Sequence, residues 1–280
     1  MNKKEAYAQL VQAVQEDYRQ RTHEDDEKKG RPYVAACAYE GKQINLWSYW
    51  RGNLDANILV LGQDWGSFIP DPNDKKRKLD CIMLENFKRM DDGEKVGYFD
   101  GVTVNIMSPT DRNLITLFKE LGMDIGSGPD ENQPLFFSNL CLGYRNMGYS
   151  GGFKRKWITD DVKYLVGYDE NGEHVHGLLE IIKPEIVICL GKEVYGAVTK
   201  ALGVKVPLVQ FYNFLDAGKN YTDFCFSDKS IRIFGMAHPG SMGQANRVSK
   251  CKIEGNTLDG MKLQRKDWKN IFIYYESSCV

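Results

Sequence analysis

Four short stretches of the chain are dominated by apolar residues: Ile58–Leu61, Leu135–Leu140, Ile186–Leu190 and Ile231–Met236. Runs of this length and evenness suit strands buried on both faces, since a half-buried strand would alternate. Between them lie segments with helical spacing of apolar positions, at 112–122 (RNLITLFKELG), 176–184 (HGLLEIIKP) and 191–203 (GKEVYGAVTKALG). Strand and helix in alternation imply parallel crossovers. The expected architecture is a three-layer α/β/α sandwich around a central, mainly parallel four-stranded sheet. Ahead of it, Tyr7, Leu10, Val11, Val14 and Tyr18 predict an amphipathic helix over 3–21, closed by a charged loop, THEDDEKKG. Residues 31–54, rich in aromatics such as Trp47, Tyr49 and Trp50, read as a packing segment leading into the first strand.

In open α/β sheets the functional crevice lies beyond the carboxyl ends of the strands. Gln63 and Asp64 follow the first run, and Asn139 ends the second with Tyr144 and Arg145 just beyond. Gly191 follows the third and His238 the fourth. A carboxylate, a carboxamide and an imidazole therefore converge on one rim.

Bulk properties narrow the partners. The 280 residues suit one large domain, and a formal net charge of −1 gives no global attraction to nucleic acid. The charge is nevertheless uneven. Residues 138–159 hold Arg145, Lys154, Arg155 and Lys156 without an acid, and residues 237–253 hold Arg247, Lys250 and Lys252 without one. Acid-free basic loops beside a site suit phosphate contact. The KKRK run at 75–78 is flanked by acids and reads as a solvated loop. The seven cysteines form no CxxC pair, which argues against a zinc ribbon or an iron–sulfur cluster, and their odd number argues against a disulfide framework. No leader and no apolar run of membrane-spanning length is evident, so a cytoplasmic location is expected.

Three motifs in order carry a resemblance: GQDWG (62–66), FFSNLCLGYR (136–145) and HPGSMG (238–243). Together with the connectors SPTDRNLITLFKELG (108–122) and IIKPEIVICLGKEVYGAV (181–198), this pattern resembles the uracil-DNA glycosylase superfamily over roughly residues 55–245. The resemblance implies a single domain: a lead-in (1–54), a family core (55–245) and a C-terminal extension (246–280). It also implies a monofunctional DNA glycosylase with no metal and no cofactor, acting on duplex or single-stranded DNA as a monomer. Two departures stand out: Trp65 replaces a usual proline, and Gly66 replaces the tyrosine that closes the pyrimidine 5-position in the best-known branch.

The chemistry gives each residue a role. Cleaving an N-glycosidic bond builds oxocarbenium character on the sugar while the base leaves as an anion. Asp64 would stabilise the cation and position water, and His238 would donate to the O2 of the leaving base. Asn139 would read the Watson–Crick edge with one donor and one acceptor. Gln63 and the open wall at Gly66 would contact the base, with Phe68 stacking on it and Phe99 as the alternative. A stacked base is unreachable, so it must be flipped out. Met242 would wedge into the vacated space, and Gly240, Ser241 and Gly243 would bring backbone N–H groups to a phosphate. Arg145, Lys154, Arg155 and Arg247 would bind the DNA backbone. Uracil is the default base, and a 5-modified cytosine of phage DNA, excised in antiviral defence, is the alternative. Two readings of other classes stand beside these. One is a non-catalytic DNA-binding protein of the same fold. The other is a mononucleotide binder using Gly62–Gly66 as a phosphate loop, although neither GxGxxG nor GK[ST] follows the first strand.

Overall fold

The computed structural model describes residues 1–29, 33–35, 53–63, 109–125, 134–145, 160–167, 177–226, 229–255 and 257–278. All four apolar runs are strands: β2 (Ile58–Gly62), β3 (Leu135–Asn139), β5 (Ile186–Leu190) and β7 (Lys229–Met236). They lie parallel in the order β3-β2-β5-β7. A fifth strand, β6 (Tyr221–Phe226), corrects the four-stranded expectation by adding antiparallel to the outer edge of β7. The architecture is a five-stranded mixed, mainly parallel sheet flanked by helices. Two short strands, β1 (Tyr33–Ala35) and β4 (Gly143–Arg145), pair separately, so part of the aromatic lead-in returns to the chain just beyond β3.

Pleating divides the core in two. Leu59, Leu61, Phe136, Val187, Cys189, Ile231 and Ile233 pack into one apolar cluster. Ile58, Val60, Leu135, Phe137, Ile186, Ile188, Phe234 and Met236 pack into the other. Because alternate residues of a strand face opposite ways, an all-apolar strand needs cover on each side.

On the first face, α1 (Lys3–Lys29) buries Ala6, Leu10, Val11 and Val14. It is joined there by α4 (Leu178–Ile182) and α5 (Lys192–Ala201). Tyr7 meets Phe136 edge-on at 5.8 Å. Contrary to expectation, α1 does not stop near residue 21 but continues through the charged stretch to Lys29. Glu and Lys are good helix formers, so the charged stretch does not by itself end the helix.

On the second face, α2 (Pro109–Lys119) contributes Leu114, Leu117 and Phe118, and α8 (Gly260–Ser278) contributes Leu263, Trp268 and Ile271 to the buried core. Phe118 sits 5.1 Å from the Trp268 ring. Residues 246–280 thus contribute Trp268 and Ile271 to this core, and position 245 lies within α7 (Ser241–Ser249). The remaining helices, α3 (Lys163–Val166) and α6 (Phe211–Asp216), are short. No helix among the described residues is long and apolar enough to cross a membrane.

Candidate functional site

Parallel register brings the predicted residues to one edge. Gly62 pairs with Asn139, Leu61 with Cys189 and Leu190 with Met236, so Gln63, Asn139, Gly191 and His238 all stand at the carboxyl ends of adjoining strands. From β3 to β7 the rim spans three inter-strand steps, about 14 Å. Asn139 shares its face of β3 with Leu135 and Phe137, on the side covered by α2 and α8.

Asn139 is only 4 % exposed, and its Oδ1 is buried without a hydrogen-bond partner among the described residues. An unsatisfied buried acceptor costs about 1–3 kcal/mol, which makes it a demand for a donor from a ligand or from water. The turn that follows Asn139 is firmly held. The Leu140 N–H donates to the Gly62 carbonyl at 3.0 Å and the Cys141 N–H to the Gln63 carbonyl at 2.9 Å. Next, the Leu142 N–H donates to the carboxylate of Asp161 at 2.9 Å. Asp161 is itself buried, and nothing in its local sequence announced this role.

His238 lies just past β7 in a turn anchored from several directions. The Gly240 N–H donates to His238 Nδ1 at 3.0 Å. A nitrogen that accepts cannot carry the proton, so the ring is the neutral tautomer with its hydrogen on Nε2. The Asn113 amide of α2 donates to the Pro239 carbonyl at 2.6 Å, and the Gln264 amide of α8 donates to the His238 carbonyl at 2.8 Å. Gly243 lies against the same carbonyl so closely that a Cβ there would overlap the His238 oxygen. The result is a donor N–H on a fixed turn, at the same rim as an acceptor that lacks a partner.

Two expected DNA contacts are corrected here. The Gly240 N–H is spent on His238, and the residue is buried, so it does not face a phosphate. Arg247 is 0 % exposed. Its Nε and Nη2 donate to Asp267 at 2.7 and 2.9 Å, and its Nη1 donates to Asp216 at 2.7 Å. Burial would pull the guanidinium pKa down, but the bonds and charges of Asp267 and Asp216 carry the net shift upward. Arg247 is a strut between α6, α7 and α8, not a phosphate ligand.

Ser241 and Met242 are exposed at the start of α7, Met242 by 80 %. Gln63 is half-buried beside β2. Arg145 has its backbone in β4, paired with Tyr33, and its side chain is not among those described. Asp64, Gly66, Phe68, Lys154 and Arg155 lie outside the described residues, as do Trp65, Phe99 and Lys156. Cys189, at the rim end of β5, is not a nucleophile, because full burial pushes its thiol far above the ordinary range.

No protein-family profile matches the chain, and no curated protein matches it in sequence.

Proposed function

We propose that the protein is a DNA glycosylase that flips a pyrimidine out of DNA and hydrolyses its N-glycosidic bond, leaving an abasic site. The observation that carries this reading is the buried, unpartnered Oδ1 of Asn139 at the rim that also holds the Nε2–H of His238. A pyrimidine satisfies both. Its Watson–Crick edge offers a donor to Oδ1, either N3–H of uracil or the exocyclic amine of cytosine, while its O2 accepts from the imidazole. The fold would be a three-layer α/β/α sandwich with its catalytic edge at the strand ends.

In this mechanism the bond from C1′ to the base nitrogen breaks first in the transition state, its electron pair departing with the base. Charge collecting on O2 is met by His238 Nε2–H, and the cation on the sugar by the Asp64 carboxylate, two residues past Gly62. Water oriented by Asp64 adds to C1′ and gives up its proton, and the base anion is reprotonated. Exposed Met242 would fill the space left by the flipped base. The α7 N-terminus at Ser241, which has no side-chain cap, would receive a phosphate.

Uracil is the primary substrate in this reading. A specific feature of the sequence favours a second: Gly66 has no side chain to exclude a 5-substituent, so hydroxymethylated or glucosylated cytosine of phage DNA would also fit, and the protein would then serve defence. Single-turnover excision from duplexes each carrying one such base decides between them. Asp64→Asn should lower the active rate by about 10²-fold or more without loss of DNA binding. Gly66→Tyr should abolish release of 5-substituted bases and spare uracil. An Asp64→Asn protein that excises at the wild-type rate would overturn the mechanism.

A further inference from the structure

We infer that Gln264, on α8 and outside the region of family resemblance, is a positioning residue that fixes the ring of His238. The inference rests on the glycosylase reading only for its catalytic consequence, because the geometry stands by itself. Gln264 is 1 % exposed. Its amide nitrogen donates to the His238 carbonyl at 2.8 Å and reaches the Ala237 carbonyl at 3.4 Å. Its own oxygen accepts from Gln244 of α7 at 3.4 Å. One side chain thus gathers the end of β7, the His238 turn and α7.

The peptide plane between His238 and Pro239 is held by Gln264, and the plane between Pro239 and Gly240 is held by Asn113. These two planes set where the Gly240 N–H points. That N–H selects the tautomer of the imidazole by bonding to Nδ1. Releasing the His238 carbonyl frees the first plane, lengthens the bond to Nδ1 and removes the bias toward hydrogen on Nε2. A donor toward the base is then present for only part of the time. Gln264 is itself held in place. Asp267, one helical turn further along α8, binds Arg247 of α7, and Gly260 lets the start of α8 lie directly on Gln244.

The test uses the full chain with ¹⁵N-labelled histidine. Of the four histidines, His238 is assigned by comparison with a His238→Gln spectrum. The wild-type ring should give one pyridine-like Nδ1 and one pyrrole-like Nε2. Gln264→Met keeps shape and burial but removes the donor, and should move both nitrogens toward an averaged position. It should also lower single-turnover excision by about 10-fold, the scale of a misplaced catalytic group, with DNA affinity changed less than about two-fold. Asn113→Ala, on a half-buried helix, gives the same signature in smaller measure should Gln264→Met fold poorly. Leu179→Ala, a core truncation on the other face of the sheet, controls for lost stability and should leave the ring signals unchanged. Folded Gln264→Met and Asn113→Ala proteins whose His238 signals match wild type overturn the inference, as does tautomer mixing with an undiminished rate. Wild type that releases no pyrimidine removes the glycosylase reading instead, and the ring signals alone then decide the role of Gln264.

Discussion

Replacing Arg247 by alanine separates a strut from a DNA contact. The guanidinium is fully buried and bonds two carboxylates whose side chains are themselves 2 % (Asp267) and 12 % (Asp216) exposed. Truncation leaves both acids facing an emptied space without the guanidinium, Asp216 keeping its bond from the Lys252 N–H. Removing one partner from a buried ion pair costs about 3–5 kcal/mol, far more than the pair's net worth against an apolar replacement. For a chain of this size that is roughly 6–20 °C in Tm, or about 1–2 M in the urea midpoint. Urea denaturation followed by tryptophan fluorescence suits the measurement, because Trp268 is fully buried beside Asp267 on α8. Combining Arg247→Met with Asp267→Leu should recover most of the loss, since that change removes a charge along with its partner. The salt dependence of DNA binding should not change in any of these variants. An Arg247→Ala protein with an unshifted midpoint and a salt slope reduced by about one unit would show that the arginine leaves its pocket for a phosphate, and would refute the reasoning.

Asp267 makes a second, pH-dependent prediction. Burial raises its carboxyl pKa above the ordinary value, with Arg247 opposing only in part. A folded-state pKa above the unfolded one favours the fold below about pH 4, where both states are protonated, and that contribution is lost as pH rises through the folded value. The stability of wild type relative to Asp267→Asn should therefore fall as pH rises above about pH 4 in paired urea titrations; a gap that widens would reverse the sign. Gly243→Ala drives a Cβ into the His238 carbonyl and should cost about 1–3 kcal/mol while shifting the amide resonances of 238–240. An unperturbed spectrum would mean the turn has slack.

The sheet was legible because four of its strands are buried on both faces and cannot hide among polar residues. Strand β6 was not, since Tyr221–Phe226 alternates between exposed and half-buried positions and carries Asp223 at its centre. That aspartate makes a two-bond pair with Arg232 on β7, at 2.6 and 2.7 Å, which is a cross-strand fact rather than a local one. That Asn139 and His238 reach one rim was legible because each stands at the end of an apolar run that becomes a parallel strand. Arg247 was misread for the opposite reason. Its loop contains no acid, and its partners, Asp216 and Asp267, stand 31 and 20 positions away. Gln264 and Asp161 gave no signal at all, because each acts on a backbone group that only the folded chain brings near, 26 and 19 positions distant.

The pairing of β2 with β5 joins residues 58–61 to 186–189, across well over a hundred intervening positions. Contacts of such sequence separation form late, because the loop they close must surrender its freedom first. Gln264 and Asp267 come later still in chain order than any strand of the sheet. Because α8 covers one apolar face of that sheet, sheet and helix complete one another, and the His238 turn is held from α8 only when the helix is docked. Fraying of α8 from the sheet would release the His238 carbonyl from Gln264. Native-state amide exchange should therefore show residues 238–240 and 260–271 opening together.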